Sequence, residues 1–122
     1  MINLKYPIMR QELLDYLRGL SDFDYQRRVW VDGQREGSIE HDELNYAVHF
    51  LYDDTALAKN PRSTIGVFLY DVAEADAVEM LVSVLDGIFQ KYGTNLSDSQ
   101  YIGLPEWTSV IQAAQWVLGR LR

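Results

Sequence analysis

The spacing of the apolar residues changes close to Asp71, and this change most constrains what the chain can fold into. After Asp71, apolar residues recur every three or four positions, which is the period of a helix packed on one face. Between residues 25 and 70 they alternate, or cluster in aromatic and β-branched runs, as strands do. The pattern therefore predicts strands in the middle of the chain and long helices after them.

A first helix is predicted before the strands, over residues 7–18. Pro7 suits the first position of a helix, where no backbone N–H is needed, and apolar residues follow it at helical spacing. Gly19 is placed to end this helix.

Three further helical segments are predicted after the change in period. Asp71 and Glu74 have the spacing of a capping box and open a helix that continues to Tyr92. A single helical turn is expected over residues 97–101, and a last helix opens at Pro105.

Three strands are predicted, over residues 25–31, 44–51 and 64–70. The second alternates most clearly, since one face would carry Leu44, Tyr46, Val48 and Phe50. Short links between consecutive strands favour antiparallel pairing. We therefore expect an α+β fold, a single domain over residues 1–122 with the order α-β-β-β-α-α, in which helices pack on one face of a three-stranded antiparallel sheet.

Acidic residues are concentrated in the middle of the chain. The whole sequence carries a net charge of −7, but residues 32–86 hold twelve acidic and three basic side chains, a net charge of −9. Such a chain offers no basic stripe for nucleic acid or for an anionic membrane. Two interpretations stay open: the charge keeps the protein dissolved, or it attracts a basic protein partner.

The cysteine count and the start of the chain bear on its location. The sequence has no cysteine, which excludes disulfides, thiol catalysis and thiolate metal sites. No apolar run reaches the ~20 residues of a membrane span, and residues 1–5 do not read as a signal peptide. We expect a cytoplasmic protein.

The candidate binding residues come from the acidic loops and from one face of the predicted sheet. Arg, Trp and Tyr are enriched at binding hot spots, and that face would present Trp30 and Tyr70. The predicted partner-binding residues are Glu36, Glu40, Asp42, Glu43, Asp53, Asp54, Trp30 and Tyr70. No catalytic residue, metal ligand or cofactor is predicted.

Several stretches resemble a small group of uncharacterised bacterial proteins: residues 6–12 (YPIMRQE), 25–30 (YQRRVW), 50–55 (FLYDDT) and 105–107 (PEW). In size, acidity and lack of cysteine, the chain is also similar to the immunity proteins of contact-dependent growth inhibition and other polymorphic toxin systems. That resemblance implies a non-enzymatic inhibitor that binds and neutralises a cognate toxin domain, often a nuclease.

The leading hypothesis is therefore an immunity protein whose acidic loops occupy the basic cleft of a nuclease-type toxin. One alternative is a small-molecule or metal-binding domain, possibly enzymatic, with its site near His49. Another is a homodimer whose sheet faces pair and bury Trp30 and Phe68.

Overall fold

The computed structural model describes residues 3–35, 37 and 41–122, and these are organised by helices. The α-helices are α1 (Pro7–Leu20), α2 (Phe23–Tyr25), α3 (Leu44–His49), α4 (Val72–Tyr92), α5 (Asp98–Ile102) and α6 (Trp107–Leu121). Helix α2 continues as a π-helical segment, Gln26–Val31, and α3 continues as another, Phe50–Asp54. A 3₁₀ turn, Pro61–Thr64, precedes α4.

The predicted α+β fold is wrong. The described residues contain no strand, and their one β-type contact is an isolated bridge between Ile65 and Leu69. The segments predicted as the first two strands are helical, and the third is a 3₁₀ turn followed by tight turns around Gly66, whose φ is +84°. The described residues form an all-α fold, so they offer no sheet face to present Trp30 with Tyr70, or to pair two copies.

The helices predicted at the two ends of the chain are confirmed. Helix α6 packs against both α1 and α4, and its Trp107 is 1% exposed. The buried apolar side chains form one contiguous cluster that extends from Leu13 to Leu121. None of the helices in the described ranges has the length and apolar character needed to cross a bilayer.

Two capping details differ from expectation. Helix α1 continues past Gly19, which is buried: a Cβ there would lie 3.3 Å from the ring of Tyr25. At α4, Asp71 accepts the backbone N–H of Glu74 at 2.9 Å, but the Glu74 carboxylate accepts the N–H of Tyr70 and not that of Asp71. The capping box is therefore only half formed.

The Glu74 carboxylate also binds Arg10 of α1. The two side chains form a bidentate ion pair, with N–O distances of 2.8 and 2.9 Å. The side chain of Arg10 is 12% exposed and that of Glu74 is 8% exposed. Arg10 also donates to the carbonyls of Phe68 at 3.2 Å and Leu121 at 2.6 Å. Its guanidinium lies 4.4 Å from the ring centre of Tyr70. We call these five residues the Arg10 junction; it ties α1, α4 and α6 together.

A buried amide makes a second junction between the ends of the fold. Gln26 is fully buried, and its amide nitrogen donates to the carbonyls of Gly19 and Leu20 at 2.9 and 3.0 Å. Its amide oxygen accepts the indole N–H of Trp107 at 2.8 Å. The last carbonyls of a helix have no N–H donor within the helix, and Gln26 supplies one to the carbonyls of Gly19 and Leu20. Through Trp107, Gln26 also links the end of α1 to α6.

Candidate functional site: an acidic groove beside helix α3

A groove of about 600 Å³ lies between the exposed face of α1, Tyr25 and the segment that leads into α3. Its walls carry four carboxylates and a single guanidinium, together with three tyrosine rings. We call it the acidic groove, and its lining residues are Glu12, Asp15, Tyr16, Arg18, Gly19, Asp22, Tyr25, His41, Asp42 and Tyr46.

Helix α1 supplies one wall of the acidic groove because of its amphipathic spacing. Glu12, Tyr16 and Gly19 follow one another by one helical turn each, so they share a face. The adjoining face of the helix buries Leu13 and Leu17 in the core. The missing side chain at Gly19 lets the Tyr25 ring approach the helix and close this end of the groove.

Asp42 is the most firmly held carboxylate of the acidic groove. Its Oδ2 accepts the hydroxyl of Tyr25 at 2.7 Å and the indole N–H of Trp30 at 3.1 Å, and its Oδ1 accepts the backbone N–H of Glu43 at 2.9 Å. All three donors are neutral, and Asp42 has no ion pair within the described ranges. Its orientation is therefore set by hydrogen bonds that leave its charge uncompensated.

Several negative charges act together on Tyr16. Burial raises the pKa of its hydroxyl, and the charges of Asp42, Glu12 and Asp54 raise it further. The Tyr16 ring packs on Phe50, with ring centres 5.0 Å apart. Asp42 precedes α3 and Asp54 is the last residue of its π-helical extension, and both thus contribute to one region of negative potential.

Asp98 extends this negative region on the other side of α3. Its carboxylate accepts the backbone N–H of Leu44 at 3.0 Å and so caps α3 from a distant part of the chain. Burial raises the pKa of Asp98, the hydrogen bond from Leu44 opposes that rise, and the charges of Glu43 and Asp42 add to it.

The rim of the acidic groove is formed by His41 and Tyr46. His41 Nε2 lies 2.9 Å from a carboxylate oxygen of Glu43, and its ring meets the ring of Tyr46 edge to face at 5.7 Å. Tyr46 is 43% exposed, so its ring is available to a partner.

The structure separates the acidic residues that the sequence predicts to act together. Asp42 lines the acidic groove and Glu43 pairs with His41 beside it. Asp53 is exposed and pairs with His49 at 2.5 Å, and Asp54 is exposed at the end of the same helical stretch. Glu36 and Glu40 lie outside the described residues.

The two predicted aromatic anchors do not lie on a shared surface. Trp30 is only 8% exposed and packs edge to face on Trp107, so it orients Asp42 and presents no face to a partner. Tyr70 is 38% exposed but belongs to the Arg10 junction and does not line the acidic groove.

The residues that sequence reasoning missed come mainly from α1 and α2. The sequence analysis assigns no binding role to Tyr16 or to Glu12. The one available signal was that Glu12 and Tyr16 are spaced by one helical turn. Nothing local pointed to Tyr25 or Tyr46, which reach the groove only through the tertiary fold.

The surroundings of His49 hold few potential ligands. Its side chain is exposed and its contact is with Asp53, four residues later. No group of three His, Asp or Glu side chains suited to a metal ion occurs within residues 3–35, 37 and 41–122.

Comparison with known families places the chain in a group without an assigned role. A family model described as a domain of unknown function, DUF7945, matches residues 4–122. The chain belongs to the DUF7945 family. No curated protein and no solved structure matches it. The matched part of this DUF7945 domain contains both the acidic groove and the Arg10 junction.

Proposed function

We propose that this DUF7945 domain is a non-enzymatic inhibitor that binds a basic protein partner through the acidic groove. The partner class that we propose is a toxin domain of the nuclease type, which the domain neutralises. The observation that carries the proposal is Asp42: a carboxylate fixed by three neutral donors, beside tyrosine rings, with its charge available to an incoming cation.

The acidic groove, at about 600 Å³, has room for side chains inserted by a larger partner. Most of a protein interface would lie on the surrounding surface, because a standard interface is much larger than one groove. The exposed carboxylate of Asp54 lies in this surrounding surface, and the exposed carboxylate of Glu12 lines the groove itself. A net charge of −7 would speed encounters with a basic partner and make them dependent on salt.

The toxin class follows from the resemblance to immunity proteins and from the chemistry of nucleases. A nuclease binds phosphates with Lys and Arg, and a carboxylate-lined surface offers those side chains an alternative anion. An inhibitor of this kind needs no reactive group of its own, because blocking the cleft is sufficient.

The proposal predicts that a neighbouring gene encodes a protein with a basic C-terminal toxin domain, and the experiment pairs this domain with that one. Co-expression should restore the growth of cells that produce the toxin domain, and calorimetry should detect a complex. Failure to rescue growth or to form a complex would overturn the toxin assignment.

Glu12→Lys tests whether the acidic groove is the contact. Reversing this exposed charge should weaken the complex about tenfold or more at low salt, which corresponds to about 1.4 kcal/mol. Glu79→Lys is the matched control, because Glu79 is an exposed helical glutamate of α4 that lies outside the groove. Equal losses in both variants would show that net charge, and not the groove, determines affinity.

A further inference from the structure

We propose that the acidic groove selects the guanidinium of a partner arginine over the ammonium of a lysine. This inference rests on the proposed function, since it specifies which cation of a basic protein partner enters the groove. The chain has already formed two cation sites with its own side chains, one around an arginine and one around a lysine, and these two sites indicate the preference.

The first of these sites is the Arg10 junction. Here a carboxylate, Glu74, and a tyrosine ring, Tyr70, hold a guanidinium whose side chain is 12% exposed. The planar guanidinium makes two parallel bonds to the carboxylate, at 2.8 and 2.9 Å, and lies over the ring as well. Arginine can do both at once because its donors lie in the plane of a flat cation.

The second site combines the same partners around a lysine. Lys91 lies 2.8 Å from a carboxylate oxygen of Glu106 and 5.3 Å from the ring centre of Tyr92, but its side chain is 65% exposed. An ammonium ion is strongly hydrated and is costly to remove from water, whereas a guanidinium is weakly hydrated. Within this chain, the desolvated site therefore holds arginine and the hydrated site holds lysine.

The acidic groove resembles the desolvated site more closely. Asp42, Tyr16 and Tyr25 are each partly buried, and burial is the main cause of the raised pKa of Tyr16. A cation that reaches Asp42 must give up part of its hydration, and this requirement favours guanidinium.

The acceptors of the acidic groove also suit a branched donor. Oδ2 of Asp42 already accepts two bonds, whereas Oδ1 accepts one and keeps a lone pair. Glu12 makes no hydrogen bond or ion pair in the described part of the chain and lines the same groove. The five N–H donors of one guanidinium can serve both carboxylates while its plane faces a tyrosine ring.

The test compares two short peptides that differ in one side chain, acetyl-Gly-Arg-Gly-amide and acetyl-Gly-Lys-Gly-amide. Each is titrated into the isotopically labelled full chain, and NMR follows the aromatic signals of Tyr16, Tyr25 and Tyr46. The arginine peptide should bind roughly twofold to fivefold more tightly, because the guanidinium is weakly hydrated and can face a tyrosine ring while it bonds to the carboxylates. Its largest shifts should fall on these three rings.

Two tyrosine variants locate the selectivity. Tyr46→Ser should bring the affinities for the two peptides closer together, whereas Tyr6→Ser should leave their ratio unchanged. Tyr6 is a matched control because it is 47% exposed, compared with 43% for Tyr46, and lies outside the acidic groove.

The outcomes separate this inference from the proposed function. Equal affinities for the two peptides, or shifts confined to residues outside the groove, would overturn the preference for guanidinium, even if Glu12→Lys weakens the toxin complex. Arginine-selective shifts in the groove, combined with a toxin complex that Glu12→Lys leaves unchanged, would confirm the preference and overturn the proposed function.

Discussion

The Arg10 junction and the acidic groove contain the same kinds of group, but the cations are placed differently: the guanidinium of the groove, Arg18, pairs with Asp15 and leaves Asp42 without an ion pair in the described ranges. In the junction, Arg10 neutralises Glu74 and lies over Tyr70. In the groove, Asp42 is held by neutral donors only. The comparison teaches that a carboxylate beside tyrosine stabilises this fold where the chain supplies a guanidinium, and becomes a candidate binding site where it does not.

Removing the cation of the Arg10 junction should have the largest effect on stability. Arg10→Ala would leave the Glu74 carboxylate buried without a counter-charge and would remove the donor from two carbonyls. We expect a loss of about 3–5 kcal/mol in the free energy of unfolding, measured by urea denaturation.

Two comparisons sharpen this prediction. Lys91→Ala, which breaks the exposed pair with Glu106, should leave the urea midpoint unchanged. The double substitution Arg10→Met, Glu74→Met should recover part of the stability that Arg10→Ala loses, because no unpaired charge stays buried. An Arg10→Ala protein as stable as the wild type would contradict the role of the junction.

Changing Asp42 should have a smaller effect on stability. Asp42→Ala removes the acceptor of three hydrogen bonds and should lower the free energy of unfolding by about 1–3 kcal/mol. Asp42→Asn should lower the free energy of unfolding by less, because one of the two terminal atoms of the asparagine side chain is still an acceptor.

The same Asn variant tests the difference between the two regions. If the charge of Asp42 is directed to a partner, Asp42→Asn should reduce affinity for the basic partner by a larger factor than it reduces the equilibrium constant for folding. The paired measurements are urea denaturation and calorimetry; an undiminished affinity would show that Asp42 has only a structural role.

The smallest expected effect is the pH dependence that comes from Asp98. Its pKa is raised in the folded protein, so the folded state holds the proton more tightly than the unfolded state does. The stability that comes from this proton is fully present below the ordinary pKa of 3.8 and is lost as the pH rises through the raised value.

Asp98→Asn should remove the pH-dependent contribution of Asp98 to stability and keep an acceptor for the Leu44 N–H. The stability of the variant, relative to that of the wild type, should therefore rise as the pH increases from about 3.8 toward neutrality. Urea denaturation at several pH values measures this difference, and a difference that falls with pH would reverse our assignment of the sign.

Long amphipathic helices could be predicted from the sequence because their signal is local and repeated. Over α4 and α6 the apolar period persists for several turns, so a few atypical positions do not obscure it. The half-formed capping box at Asp71 also marked the start of α4 at the correct place.

Segment 44–51 shows why the predicted strands failed. Its alternation of Leu44, Tyr46, Val48 and Phe50 was the stronger visible pattern, yet Tyr46 is 43% exposed. The buried residues include Leu44, Ala47 and Leu51, which are spaced as on a helix. A short segment supports both periods, and contacts with the rest of the fold decide between them.

Segment 25–31 failed for a different reason. Aromatic and β-branched residues favoured a strand there, but the segment is organised around Gln26, a polar residue that is fully buried. Its partner is Trp107, which is 81 residues away in the sequence. No local pattern can reveal a polar residue that is buried because a distant side chain satisfies it.

Of the candidate site, the sequence predicts the negative charge but not the arrangement of the residues. An excess of carboxylates was evident, and Asp42 was among the predicted residues. Its position opposite Glu12 and Tyr16 depends on how α1 packs beside α3, and the sequence shows no trace of that arrangement.

The Gln26–Trp107 bond also has a consequence for biosynthesis. Because the ribosome makes the chain from its N-terminal end, Trp107 is added 81 residues after Gln26, and the hydrogen bond between them cannot form before then. Until then the apolar stripe of α1 lacks the helix that covers it, so the nascent chain is open to chaperones and proteases. The protected state of this domain can therefore form only after α6 has been made.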